Sequence, residues 1–278
     1  MNRRECADGG GLIMALENIA GSIDLGKLPS GPRVLSRLIS VIRQPGVQLS
    51  DVADLFHSDP ALTARVVAAC NTPYYSRGEP TVDIREAVLR LGLDEISRIV
   101  QIVSLTDLRK YPTHLYTATS GHFWERSLHT GFVIDEISGH DPMAYTAGIM
   151  HLAGIWVLCS VFPAGHLSIA DRELALQARL EQLRLGVSFA EAGAAALAKW
   201  GFAPAICEAV LRQLAPSVCE DPEHRELARL LSRSVAITDW HYGAKNERTL
   251  LRSDLTITDL EECNQRAVAK VAKIGFGF

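Results

Sequence analysis

The chain has no Cys-x-x-Cys pair and no excess of either charge, and it offers no phosphate-binding glycine loop. Its six cysteines, Cys6, Cys70, Cys159, Cys207, Cys219 and Cys263, are scattered along 278 residues. That spacing fits neither zinc ligation nor thioredoxin-type redox chemistry, and it reads as incidental thiols of a reducing compartment. Lysine and arginine number 28 against 32 aspartate and glutamate, for a net charge of −4. The bulk basic excess with which nucleic-acid binders neutralise phosphates is missing, so nucleic acid is not an expected partner. The run Gly9-Gly10-Gly11 follows no predicted strand and carries no Lys-Ser/Thr, which makes it a flexible leader. No Gly-x-Ser-x-Gly elbow offers an exposed nucleophile. Arg3 and Arg4 are followed by Glu5, Asp8 and only a short apolar piece, Leu12–Ile19, unlike a signal peptide. The most apolar stretch, Ala147–Cys159, is too short for a bilayer. These absences together predict a cytoplasmic protein with no membrane partner.

What the chain does have is apolar material at helical period. Hydrophobic residues make up 47%, enough for a sizeable core in one large domain or two smaller ones. Val34, Leu35, Leu38, Ile39 and Ile42 recur three to four apart between Ser30-Gly31-Pro32 and Gln44-Pro45-Gly46. Ser50 caps a short helix, and Asp59-Pro60 supplies a cap and a first-position proline before Leu62, Val66, Val67 and Cys70. Asp83 with Glu86 reads as a capping box, Gly92 as the stop of that helix, and Asp94 as the start of the next, which fades near Tyr111-Pro112.

Beyond Tyr111–Thr119, the best internal boundary, Phe123, Trp124, Leu128 and Phe132 mark a helix ending near Gly139. Asp141-Pro142 opens a single apolar helix to Val157. A leucine-punctuated helix follows over about 168–185, and Ser188 with Glu191 forms another capping box. Ala205–Leu214, Pro222–Tyr242 and Thr258–Ile274 are the last helices, the final one opening at Thr258-x-x-Glu261. No segment alternates at a period of two between hairpin turns. The predicted fold class is all-α: a partly helical leader over 1–24, a helical lobe over 25–111, and a second lobe with extra C-terminal helices over 118–278.

Two segments carry a resemblance. One runs from Asp59-Pro60-Ala61-Leu62 through Asn71-Thr72-Pro73-Tyr74-Tyr75-Ser76. The other is Ala144-Tyr145-Thr146-Ala147-Gly148-Ile149-Met150-His151-Leu152-Ala153-Gly154. With Leu28-Pro29, Ile84–Leu93, Phe123–Leu128 and Lys199-Trp200-Gly201-Phe202-Ala203-Pro204 in order, they resemble the HDOD family over roughly Leu25 to Pro216. These are bacterial all-helical signalling modules related to the HD-superfamily metal phosphohydrolases. The resemblance implies a two-lobed helical bundle whose second lobe is akin to the HD-domain fold.

Active HD proteins hold one or two metals through a first His, a His-Asp pair and a later Asp, and the metal activates water against a phosphoester. Here the first His position is Arg126, the His of the pair is His151, and the Asp after it is Leu152. A histidine pair often found near the helix after Trp200 falls at Gln213 and Leu214. Arg126, His151, Leu152 and Glu191 are thus expected to form a vestigial pocket with no catalytic residue, metal or cofactor.

His151 is either a satisfied core histidine or a surviving ligand paired with His129 or Glu191. Arg126 would bind an anion there or, the blander alternative, an internal carboxylate such as Glu191. The literal His140-Asp141 is better explained as a helix cap. Tyr74 and Tyr75 either anchor their loop or line an interaction groove. Arg225, Arg229 and Arg233 share one helix face, either solvated or poised for an acidic partner or nucleic acid. The resulting expectation is a non-enzymatic signalling module that binds another protein, by family a sensor kinase, a receiver or a cyclic-di-GMP-related protein. The alternative is a metal-dependent phosphohydrolase of a nucleotide or cyclic dinucleotide.

Overall fold

Helices begin where the sequence offers a side chain to the free amides of a first turn. In the computed structural model, which describes residues 31–275 apart from 43, 45, 57–58, 77–78, 165–167 and 171–172, this accounts for most helix starts. The expected leader over 1–24, the glycine run and Leu28-Pro29 lie outside the described residues. The first helices are α1 (Gly31–Ile42), α2 (Leu49–Phe56), α3 (Pro60–Cys70), α4 (Ile84–Leu91) and α5 (Leu93–Leu108). They are followed by α6 (Ser120–Ile137), α7 (Pro142–Met150), α8 (Ala153–Val161), α9 (Leu174–Leu185), α10 (Phe189–Lys199) and α11 (Pro204–Arg212). After a 3-10 turn at Pro216–Val218 come α12 (Pro222–His241), α13 (Glu247–Ser253) and α14 (Ile257–Gly275). Among the described residues there is no sheet, only an isolated parallel bridge between Tyr116 and Ile169. The fold is all-α.

Asp59, Asp141 and Asp221 each cap a helix that opens on proline, and Ser188 with Glu191 closes a complete capping box on α10. Elsewhere the starts differ from expectation. Asp83 caps α4 by accepting from the Arg85 amide, while Glu86 accepts from the Thr81 hydroxyl and pairs with Arg90, so no box forms. The last helix starts one residue early, at Ile257, because Thr256, not Thr258, accepts from the amide three residues on, that of Asp259. The helix expected from about residue 168 starts later: Ile169 exchanges backbone bonds with Leu115 and Thr117, and α9 starts only at Leu174. The short α13 has no counterpart in the sequence reading.

Helix α5 is the element common to both ends of the chain. It packs on α1 and α3 with one side and reaches α6 and α7 with the other. Ile96, Ile99, Val100, Ile102, Val103 and Leu105 are all buried along it. Polar contacts join the same faces: Arg98 pairs with Asp135 of α6 at 2.5 Å and lies 4.9 Å from the Tyr145 ring centre. The Ser36 hydroxyl of α1 donates to the carbonyl of Trp200 at 2.7 Å.

The apolar segment Pro142–Val161 spans 20 residues, so by length and composition alone it could cross a membrane; the shorter run expected from the sequence understated it. Its most apolar window is 89% buried inside the protein. It is also not one helix, for it breaks at His151-Leu152. Close packing explains the glycines beside the break. A Cβ on Gly154 would lie 1.8 Å from the Phe189 carbonyl oxygen, so α8 and α10 meet backbone to backbone. At Gly148 a Cβ would lie 2.9 Å from the Gly131 Cα, which brings α7 equally close to α6.

Candidate functional site

Helix α6 is buried on all sides from Arg126 to Asp135 because α7, α12 and α14 surround it. A guanidinium in that position must meet an anion, and Arg126 meets Asp239 of α12 in direct contact, with side-chain exposures of 1% and 0%. The same two helices are tied one turn on, where the Thr130 hydroxyl donates to that of Thr238 at 3.1 Å. The Tyr242 ring closes over the guanidinium at 5.3 Å. Burial pushes the Asp239 carboxyl above its usual range, and the charges of Arg126 and Arg252 oppose that shift.

His151 sits at the break between α7 and α8, fully buried. Its Nδ1 lies 2.7 Å from the Gly148 carbonyl, which can only accept, so Nδ1 carries the proton. Nε2 is buried and has no hydrogen-bond partner. Burial drives the imidazole pKa down to about 3 and the positive charge of Arg126 adds to the effect, against the Gly148 bond. The ring is therefore neutral. Gln213, at the position expected for a histidine, donates from Nε2 to the backbone oxygens of His151 at 3.1 Å and Val210 at 2.8 Å. These two bonds brace the break from α11. Leu152 is fully buried with the apolar core.

The structure brings Arg126, His151, Leu152 and Gln213 into the interior around α6, α7 and α11. Glu191 takes a different job. Its Oε2 accepts from the Ser188 amide at 2.7 Å and the Ser188 hydroxyl at 2.9 Å, completing the α10 cap. The carboxylate that meets Arg126 is Asp239, which the sequence reading did not single out. A signal for it existed: Asp239 is the one acid in the otherwise uncharged run from Ser234 to Trp240, so a core-facing carboxylate there demands a cation. His129 does not pair with His151. Its ring faces His241 at 4.9 Å and Tyr242 at 5.8 Å, and burial lowers its pKa to about 3.

Tyr75 is buried and packs edge-on against the half-exposed Tyr74 at 4.6 Å. Asp141 does cap α7, accepting from Met143 and Ala144. The arginine face of α12 is dismantled. Arg225 donates to the backbone oxygens of Cys219 and Glu220, Arg233 to those of Ser253 and Asp254, and only Arg229, loosely paired with Glu226, stays outward.

The sequence pattern of the HDOD domain matches residues 28–216, more than half of the chain, and the chain belongs to the HDOD family. A solved HDOD domain protein of unknown function from Geobacter sulfurreducens has the same fold. It is 24% identical, with a TM-score of 0.69, over 95% of this chain and 98% of that one. A protein from Marinobacter aquaeolei VT8 named for signal transduction superposes with a TM-score of 0.67 at 19% identity, covering 95% of this chain and 64% of its own. One from Shewanella amazonensis SB2B named as a phosphohydrolase superposes with a TM-score of 0.63 at 22% identity, covering 96% of each. An uncharacterised Treponema pallidum protein is 26% identical over 200 residues, and the match spans 66% of this chain but only 36% of that relative.

Proposed function

We propose that the protein is a regulatory module of bacterial signal transduction that acts by binding another protein and not by hydrolysing a phosphoester. The contact between Arg126 and Asp239 carries this reading. In the metal-dependent relatives the first His and a later Asp face a cation. Here a guanidinium occupies the first of those positions, and its charge is neutralised by a buried carboxylate from α12. The guanidinium offers a cation no lone pair, and the Asp239 oxygen that faces it is already engaged by Arg126. Leu152 offers no oxygen to bridge metals, and Glu191 is engaged in its cap. The residues present do not fit a catalytic metal, so no hydrolytic step is derived through one.

The family connection and a similar structure named for signal transduction favour the signalling context. In this reading the two lobes, 25–111 and 118–278, form the scaffold that a sensor kinase, a receiver or a cyclic-di-GMP-related protein engages. Of the two tyrosines only Tyr74 reaches the surface, and Tyr75 is buried beneath it.

One observation favours the alternative, a metal-dependent phosphohydrolase of a nucleotide or cyclic dinucleotide. His151 Nε2 is neutral, buried and unpartnered, as a metal ligand must be before it binds. Hydrolysis of bis(p-nitrophenyl) phosphate and of cyclic di-GMP with added manganese separates the two. The proposal expects no turnover above that of His151→Ala; turnover that His151→Ala abolishes would establish the alternative.

A further inference from the structure

A groove of about 820 Å³ lies where α1 and α2 meet the end of α10, the same place where Ser36 ties the two parts of the chain together. Its apolar floor includes Val34, Leu55 and the Trp200 ring. Its rim carries Arg37 from α1 and Lys199 from the last turn of α10, both exposed, with the exposed Ser40 hydroxyl between apolar neighbours. No carboxylate is among its described lining residues. Two cations therefore border one apolar trough in a chain whose net charge is −4. In the groove wall the Trp200 indole Nε1 is buried and has no hydrogen-bond partner, so a donor stands without an acceptor beside the same trough.

Among the described lining residues every polar side chain can donate, and the charged ones are cationic. The trough is open to solvent and not an enclosed cavity, which suits a peptide segment better than an engulfed small molecule. We infer that this groove binds an acidic peptide segment of a partner protein, with apolar side chains on the floor between α1 and α10 and carboxylates on Arg37 and Lys199. The inference rests on the protein-binding reading above and gives that partner its chemistry. A peptide seated there would touch both α1 and α10, so its binding would report on how the two parts of the chain are joined.

The test uses the full chain and fluorescein-labelled twelve-residue peptides alternating Glu or Asp with Leu or Phe, followed by fluorescence anisotropy. Matched peptides with Lys in place of every acid serve as the control. The acidic set is expected to bind and the lysine set not to. The double variant Arg37→Glu, Lys199→Glu should lose about tenfold or more in affinity, since it turns two attractive rim charges repulsive. Ser40→Trp, which fills the trough without changing charge, should weaken binding by a similar factor. Arg184→Glu, an exposed reversal outside the groove, should change little. No binding by any acidic peptide, or equal binding by wild type and the double variant, would overturn the inference. A finding of phosphoester turnover would instead strike the parent reading and leave the peptide result to be judged by itself.

Discussion

At the scale of single residues, the account turns on a charge that the interior cannot leave alone. Removing one member of a buried ion pair strands the other, at a cost of about 3–5 kcal/mol, whereas replacing both by apolar groups of similar size is often close to neutral. Arg126→Met is therefore expected to destabilise the fold by about that amount in urea denaturation. Arg126→Met with Asp239→Leu should recover most of the loss. Additive losses in the double variant would mean that the two side chains do not compensate each other.

His151 supplies a second test, by pH. Its folded pKa of about 3 lies below the unfolded value of about 6.5, so acid protonates the unfolded chain first. Stability held by the neutral ring is complete above the unfolded pKa and is lost progressively as pH falls from there toward 3. Between pH 7.5 and pH 5 the loss amounts to about 2 kcal/mol. Glu181 shifts the other way. Burial raises it to about 7 although it accepts from Tyr116, Gln177 and the Phe189 amide. The comparison must therefore be made between variants. The stability difference between wild type and His151→Asn should shrink by about 2 kcal/mol over that range; a constant difference would contradict a neutral buried ring.

At the scale of elements, what the sequence disclosed depended on how local the cause was. Caps need only a few consecutive residues, so Asp59-Pro60, Asp141-Pro142 and the Ser188–Glu191 box were legible. The break at His151 was not, because it depends on Gln213, 62 residues away, and on how closely α8 approaches α10. The match between Arg126 and Asp239 was likewise hidden by a separation of 113 residues, although Asp239 is conspicuous as the one acid of its run. Thr256 and Thr258 offered the same kind of cap two residues apart, and only the packing of α14 on α6 and α12 decided between them.

The glycine at the α8–α10 crossing provides the prediction for this scale. Gly154→Ala would drive a methyl group into the Phe189 backbone, so it should cost about 3 kcal/mol or more or prevent folding. Gly186→Ala changes a left-handed helix end with open space around it, and should cost only about 1 kcal/mol. Thermal melts of the two variants check the ranking, and equal losses would show that α8 and α10 can move apart.

At the scale of the whole molecule, an HDOD fold carries an interior in which an arginine and an aspartate face each other, fully buried, between α6 and α12. The adjoining histidine is kept neutral beside them. On the function proposed above, recognition falls to the surface, above all to places where the parts of the chain meet. Manganese titration by calorimetry tests this most directly, on wild type and on Arg126→His with Leu152→Asp, which restores the missing imidazole and carboxylate. The account predicts no binding heat for wild type and saturable binding for the double variant. One equivalent of manganese taken up by the unaltered protein, lost again in His151→Ala, would contradict it.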